Sequence, residues 1–337
     1  MNAAPPPMSA PNTRPAVVPS VFVLSGLSAS QLESLRALEV KDARPHLTSG
    51  VFIWCLQTFL ELKRRGLPVA LMSEPQAGSV NFVHVRQLYR RRPAADVFTV
   101  SVQADYAAVP WTSANVVQNQ LQADGSRSHW IPHWPQPGLI PRSSVRDRVE
   151  CVAYAGNPRN LAGSAPVWGT AMKSRGIEFR QLDSDNWNDY SGVDVLLAVR
   201  SFDRARHENK PPSKLMNAWH AGIPLVAGYD SAFEQVGRPG HDYLRVRTLD
   251  EAIDGICLLR DDSDRYRSIV AAGSARALEY TRDRICDAWE NLLLGPIACR
   301  YQWWNKSRVL SAFREQTRFR TWQICRFFRS NKRGFGH

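Results

Sequence analysis

Short runs of apolar residues alternate along this chain with longer stretches in which apolar residues recur at helical spacing. Residues 21–24 (VFVL) are continuously apolar and predict a buried strand that ends before Gly26. After Gly50 the apolar positions recur every three or four residues, which predicts a helix that closes at Gly66. Further strands are predicted at 68–72, 97–102 and 116–117. This rhythm of strand, helix and strand predicts parallel strands joined by crossover helices.

The rhythm is interrupted once, at residues 131–142, where IPHWPQPGLIPR carries four prolines. Such a segment is too stiff and too poor in backbone donors for the interior of an element, so we expect it to connect two domains. Beyond it, strands are predicted at 151–155, 177–179, 193–199 and 224–227, with a helix over 213–221. The predicted fold class is therefore α/β, with two Rossmann-like domains. The predicted divisions are a disordered leader (1–18), a first domain (19–140), a second domain (141–298) and a basic, aromatic, helical tail (299–337).

Composition narrows the class of protein. The chain has 337 residues, 44% of them hydrophobic and 22% charged, which is typical of a globular protein and excludes a collagenous or wholly disordered chain. Six cysteines show no C-x-x-C spacing, so neither a cysteine metal site nor a disulfide framework is predicted. No secretory signal pattern is evident at the N-terminus, and a cytoplasmic location is the expectation.

The net charge of +12 is concentrated at one end of the chain. Residues 300–337 contain ten lysines and arginines but one acid, Glu315, so this segment carries +9 and the remainder only +3. A nearly neutral body gives no reason to expect a nucleic-acid partner.

The segment at residues 211–228, PPSKLMNAWHAGIPLVAG, is the most informative for chemistry. Pro212 and Ser213 open a predicted helix, whose free N–H groups can bind an anion. Lys214 falls in the first turn, where the helix dipole disfavours a cation. An ordinary capped helix is the alternative, but a lysine at this position is better explained by a bound anion.

This segment and the residues after it resemble the C-terminal domain of GT-B glycosyltransferases. The matching parts are Pro212-Ser213-Lys214, the run NAWHAGIPLV at 217–226, the run SAFEQV at 231–236, and the later HDYL and DEA. The resemblance implies a GT-B fold, a nucleotide-sugar donor and an enzyme that needs no metal or other cofactor. It further implies transfer of the sugar to a hydroxyl acceptor, a glycan or a lipid-linked saccharide.

The resemblance also implies roles for individual residues. Ser213 and Lys214 would hold the diphosphate, together with the backbone N–H groups of Ser231 and Ala232, and Glu234 would bind the ribose hydroxyls. Other donor-binding candidates lie in the loop after the first strand of the second domain, in the first loop of the first domain and on the motif helix: Asn157, Arg159, Gly50 and Asn217.

One departure from the family pattern leaves alternatives open. Many relatives carry two glutamates, eight positions apart, around this helix, whereas this chain has Asn209 and Asn217. A sugar-nucleotide epimerase of the same fold, or a binding protein without turnover, therefore remains an alternative function.

The sequence offers fewer candidates for a general base than for donor binding, and each is inferred from its position and residue type. Asp105 follows a predicted strand end, and His46 has a side chain suited to proton transfer near neutral pH, with His84 as its rival. A structural role is the alternative for each of them.

In the tail, aromatic residues and arginines interleave from residue 301 to residue 335. A segment of this kind suits an anionic membrane surface, which would place the protein peripherally on the inner face of a membrane. A helix that packs back on the first domain, a disordered end and an RNA-binding segment are the alternatives.

Overall fold

The computed structural model describes residues 18–333, with side chains through residue 326. The predicted leader falls almost wholly outside these residues, as do the side chains of the last part of the tail. The described chain forms two parallel sheets, each accompanied by helices. The predicted fold class, α/β with two Rossmann-like domains and a C-terminal helical tail, is confirmed.

The first sheet contains six parallel strands in the order β2-β1-β3-β4-β5-β6. Their bounds are β1 Ser20–Val23, β2 Val69–Met72, β3 Val80–His84, β4 Thr99–Val102, β5 Ala114–Val117 and β6 Ser128–Trp130. Its helices are α1 Ala29–Ala37, α2 Gly50–Phe52, α3 Thr58–Arg64 and the short α4 Val85–Leu88; a π-helical segment, Ile53–Gln57, joins α2 to α3.

The second sheet contains five parallel strands in the order β8-β7-β9-β10-β11. Their bounds are β7 Cys151–Ala155, β8 Glu178–Leu182, β9 Val195–Ala198, β10 Leu225–Ala227 and β11 Leu244–Arg245. The accompanying helices are α5 Ala165–Lys173, α6 Ser213–Ala221, α7 Ser231–Val236, α8 Leu249–Asp261 and α9 Ser263–Ala277.

Both sheets reverse their direction of growth at an equivalent place. The chain starts each sheet in its interior, adds one strand on one side and then continues on the other, so the reversal lies between β1 and β3 and between β7 and β9. In open α/β sheets the crevice outside the carboxyl ends of such strands is where ligands bind. The loops that follow β1, β3, β7 and β9 are therefore the first places to search for a site.

The last helices return to the first domain. Those helices are α10 Arg282–Leu292, α11 Ala298–Lys306 and α12 Arg308–Arg333. In α10, Trp289 is fully buried against the core ring Phe82, at 5.6 Å between centroids. Residues 282–298, which the predicted boundary groups with the second domain, therefore belong to the first core. Two sheets in series with a returning C-terminal end form the GT-B arrangement that the resemblance implies.

The tail helices also lie on the first domain. Trp304 of α11 is buried against Phe98, and the side chains of Ser311 and Glu315 in α12 are buried as well. The packing of the tail on the body, one of the predicted alternatives, is thus observed. None of the described helices has the combination of length and apolar character that crossing a membrane requires.

Candidate functional site

The start of α6 has no side-chain cap, whereas six other α-helices in the described residues have one. At the starts of α1, α4, α7, α8, α9 and α10 a backbone N–H donates to a capping side chain, that of Ser28, His84, Asp230, Thr248, Asp262 and Thr281 respectively. Helix α6 instead follows Pro212, whose side chain has no acceptor. Within the described part of the chain, no acceptor bonds the N–H groups of Ser213, Lys214 or Leu215. Three donors at the positive end of a helix are available to an anion.

Lys214 places an amine that can carry positive charge at this helix start. Its Nζ atom lies 5.3 Å from the ring centroid of Tyr154, and no carboxylate in the described residues pairs with it. Burial lowers the pKa of Lys214 to about 7, and the charge of Arg200 opposes its protonation further. A bound anion would offset both effects and raise this pKa, because its negative charge favours the protonated amine.

The loop after β7 contacts the side chain of Lys214. A Cβ atom on Gly156 would lie 2.9 Å from the Lys214 Nζ and 3.1 Å from the Tyr154 hydroxyl, so only a glycine permits this approach without a shift. The Tyr154 hydroxyl donates to the carbonyl of Asn157 at 3.0 Å. The Asn157 side chain accepts the backbone N–H of Arg159 at 3.0 Å, and the Arg159 side chain is exposed. The loop that carries Asn157 and Arg159 therefore lies at the switch point, with Gly156 in contact with Lys214.

The loop after β9 contributes a second buried cation. Arg200 donates through Nε to Oδ2 of Asp230 at 3.0 Å, and the two side chains are 13% and 2% exposed. Asp230 also accepts the N–H of Ala232 and so caps α7. Burial raises the pKa of Asp230, while the charge of Arg200 opposes that rise. In contrast to Lys214, Arg200 already has its counterion.

The three predicted donor-binding residues of α7 are engaged within the protein. The N–H of Ser231 donates to the carbonyl of Arg206 at 3.0 Å, and that of Ala232 donates to Asp230 at 3.0 Å. The Glu234 carboxylate accepts from the guanidinium of Arg245. Diphosphate or ribose could use these groups only after the present partners release them.

Asn217 lies one turn further along α6 and faces the connector between the domains. Its Oδ1 accepts the N–H of Gln136 at 3.2 Å, and its side chain lies beside the hydroxyl of Tyr190. Burial raises the pKa of Tyr190 to about 12. Asn217 therefore ties the donor-side helix to the connector.

Two loops meet where the domains face each other. The carboxylate of Asp105, after β4, lies 3.1 Å from the Nζ of Lys210, and its carbonyl accepts from Asn209 Nδ2 at 2.9 Å. Each loop contains a non-glycine residue in the left-handed region, Ala104 at φ 52° and His207 at φ 47°. No other non-glycine residue in the described range has a positive φ. Backbone strain of this kind is typical of segments that position functional groups.

His84 ends β3 at the switch point of the first domain. It is 1% exposed, its Nδ1 accepts the N–H of Arg86 at 3.2 Å, and its Nε2 has no partner among the described residues. Burial lowers the pKa of His84 to about 4, so the ring is neutral near pH 7. A Cβ atom on Gly50 would lie 3.6 Å from Nε2. The structure therefore places Gly50 beside His84, whereas His46 is exposed on the turn Arg44–His46.

The sequence alone did not single out Tyr154, Lys210 or Asp230. The position of Arg200 directly after a buried strand was a usable signal, because strand ends meet at one sheet edge. The pairings of Asp230 and Lys210 join residues far apart in the chain and leave no local pattern. In the described residues, no group of three or more His, Cys, Asp and Glu side chains is arranged to hold a metal ion.

Comparisons with known proteins show likeness at the level of structure. No protein-family model and no curated protein matches this chain. HepE of Anabaena, solved in complex with UDP, is 10% identical with a TM-score of 0.45, over 81% of this chain and 99% of its own. AviGT4, a glycosyltransferase involved in avilamycin A biosynthesis, is 12% identical with a TM-score of 0.49, over 82% and 98%.

A third similar structure is the sucrose-phosphate synthase of Thermosynechococcus elongatus. It is 12% identical with a TM-score of 0.44, over 77% of this chain and 79% of its own. At identities of 10–12% these likenesses concern the fold alone. The roles of individual residues therefore have to be argued from the side chains of this chain.

Proposed function

We propose that this protein is a glycosyltransferase that binds a nucleotide-diphosphate sugar at the start of α6. The observation that carries the proposal is the coincidence of three free N–H groups with Lys214, a cation without a carboxylate partner in the described residues. The negative charge of a diphosphate would interact favourably with the free N–H groups and with Lys214. The site also lies at the switch point of the second sheet, where the loop with Gly156 permits close approach.

Transfer of a sugar leaves negative charge on the departing nucleotide diphosphate. Lys214 and the N–H groups of Ser213 and Leu215 would stabilise that charge, with Arg159 from the loop after β7. Because these groups are in place before the reaction, their orientation requires no reorganisation when the charge develops. No step in this scheme is assigned to a metal, and independence from metal is part of the proposal.

On the acceptor side, the groups nearest the domain boundary are Asp105 and His84. Asp105, which reaches across to Lys210, is the proposed acceptor of a proton from a hydroxyl. His84 has an Nε2 without a partner in the described residues, but the burial that lowers its pKa to about 4 makes it the weaker base. His46 is the more remote candidate. We further propose a glycan or lipid-linked saccharide as the acceptor, reached by peripheral association with an anionic membrane.

Thermal stabilisation by nucleotides tests the donor site. We expect one of UDP, GDP, ADP or their sugars to raise the unfolding temperature of the full chain, equally with and without EDTA. Lys214→Ala should abolish this shift, whereas Lys173→Ala, at an exposed lysine of α5, should preserve it. The absence of any shift, or a shift that survives Lys214→Ala, would remove the donor site from the start of α6.

A nucleotide-binding protein without turnover is the second candidate. It is favoured by the ion pair of Glu234 with Arg245 and by the structural engagement of Asn209 and Asn217. Nucleotide-sugar hydrolysis or transfer, followed by release of the nucleotide diphosphate, separates the two functions. Binding without release over long incubation with varied saccharide acceptors would favour the second.

A further inference from the structure

The two C-terminal helices expose a strip of apolar side chains, here called the outer strip. It consists of Trp303, Val309, Leu310, Phe313 and Ile324, which are between 50% and 86% exposed. Seven large hydrophobic residues in the described part of the chain are at least 50% exposed, and these five of them fall within 22 consecutive positions. Scattered exposed apolar residues are ordinary, but a cluster of them marks an interaction surface.

The opposite side of α12 is fastened to the first domain. Phe319 packs edge-on against Trp111 at 5.4 Å between centroids, and Trp322 stacks on Tyr89 at 6.1 Å. Arg308 pairs with Asp96 at 2.9 Å. The outer strip is therefore exposed while the helix remains docked, and α12 need not detach to present it.

The unpaired charges of α11 and α12 beside the outer strip are all positive. Lys306, Arg314, Arg318 and Arg320 are exposed, and none of them has an acid partner among the described residues. The one acid of these two helices, Glu315, is buried on the opposite side, where it accepts from Ser113 at 2.6 Å. Burial raises the pKa of Glu315 to about 7, so it contributes little negative charge to the exposed side.

We propose that the outer strip docks on an anionic lipid bilayer, with α12 parallel to the surface and its apolar side chains in the interface. The inference rests on the peripheral association proposed above and identifies the surface responsible for it. Apolar residues flanked by cations match acyl chains beneath anionic headgroups. A symmetric contact with a second copy would oppose like charges, and a nucleic acid offers no partner for Val309, Leu310 or Ile324.

Sedimentation of the full chain with lipid vesicles tests this assignment. We expect binding to phosphatidylcholine vesicles that contain phosphatidylserine, and much weaker binding to phosphatidylcholine alone. The combined change Val309→Ser, Phe313→Ser and Ile324→Ser should weaken the binding about tenfold or more. The control Val145→Ser, at a loop valine 86% exposed, should leave it unchanged.

Two further readouts separate the possible outcomes. The unfolding temperature and its nucleotide-induced shift are measured on the same samples, and both should be unchanged in the triple variant. An unchanged unfolding temperature excludes misfolding as the cause of lost lipid binding. An unchanged shift shows that the donor site is intact. Vesicle binding equal to that of the parent protein in the triple variant would overturn the proposal. The proposal would also be overturned if the parent protein did not bind vesicles and instead dimerised through these residues. The same holds if it did not bind vesicles and bound RNA in a way that the triple change abolishes.

Discussion

Helices α6 and α7 both begin at the sheet edge where the donor is expected, yet their first turns are built in opposite ways. The first N–H groups of α7 are hydrogen-bonded within the protein: Asp230 accepts that of Ala232, and the Arg206 carbonyl accepts that of Ser231. Helix α6 follows a proline, has no side-chain cap and carries Lys214 with no carboxylate partner in the described residues. The backbone donors at the start of α7 are hydrogen-bonded within the protein, whereas those at the start of α6, and the amine of Lys214, have no such partner in the described residues.

The difference shows where an external anion contributes most. At α7 a phosphate would have to compete with bonds that already exist, so its net gain would be small. At α6 it would meet unpaired N–H groups and a lysine whose charged form the protein disfavours. The resemblance to GT-B enzymes implies both helix starts as diphosphate contacts, whereas the geometry favours α6 as the principal one.

The largest expected effect comes from removal of the carboxylate that completes α7. Asp230→Ala should lower the free energy of unfolding by about 3 kcal/mol, because it leaves the buried Arg200 without its partner and removes the cap. Urea denaturation measures the loss. Asp262→Ala, which removes only the exposed cap of α9, should cost about 1 kcal/mol. Equal losses in the two variants would contradict the special position of Asp230.

Lys214→Met tests the uncompensated charge of α6 through pH dependence. The pKa of Lys214 in the folded protein, about 7, lies below its ordinary value of 10.5, so folding disfavours the proton. The free protein should therefore lose stability as the pH falls from about 10.5 to about 7, with no further loss from this group below that. The methionine variant should lack this slope and be the more stable protein near pH 7.

The same variant should bind nucleotide about 10- to 100-fold more weakly, since a charge-assisted hydrogen bond contributes about 1.5–3 kcal/mol. Urea midpoints across pH and equilibrium titration with nucleotide measure the two effects. Lys173→Met is the matched control, with neither change expected. A variant with the slope of the parent protein would show that Lys214 is compensated in solution.

Gly156→Ala is expected to have the smallest effect. The added Cβ would lie 2.9 Å from the Lys214 ammonium, which can move aside, so nucleotide affinity should fall by only about threefold. The φ of 158° at this position strains an alanine, so the free energy of unfolding should fall as well. Gly169→Ala in α5, where no atom lies within 4 Å of the added Cβ, should leave affinity unchanged. Unchanged affinity in Gly156→Ala would show that this glycine shapes only the loop.

Most strands and the motif helix could be predicted, because their apolar runs and helix signals are local. Strand β3 was not predicted, since the buried Asn81 interrupts its apolar run. Its side chain is hydrogen-bonded only by backbone groups, those of Gln76, Ser79 and Phe98, which local sequence does not reveal. Strand β6 has three residues next to the proline-rich connector and lacks a pattern of its own. The amphipathic pattern of α10 predicts that one face is buried, but it does not predict which of the two domains buries that face.

The site was predictable in part for the same reason. Ser213 and Lys214 stand in a local motif, and Arg159 and Arg200 follow strand ends. The free Nε2 of His84 depends on the packing of Gly50 against it, and the sequence distance between them is large. The exposure of Phe313 beside the buried Glu315 depends on how α12 lies on the first sheet, which helical periodicity alone does not determine.

By itself the sequence determined that a helix would start at Ser213 with a lysine in its first turn, within an α/β chain of two domains. The tertiary structure decided which cations keep an unmatched charge. Arg200 meets Asp230, 30 residues away, and Lys210 meets Asp105, 105 residues away in the other domain, while Lys214 meets neither. Local propensity acts over a few neighbouring residues, whereas compensation of charge depends on which distant loops the fold brings within a few ångströms.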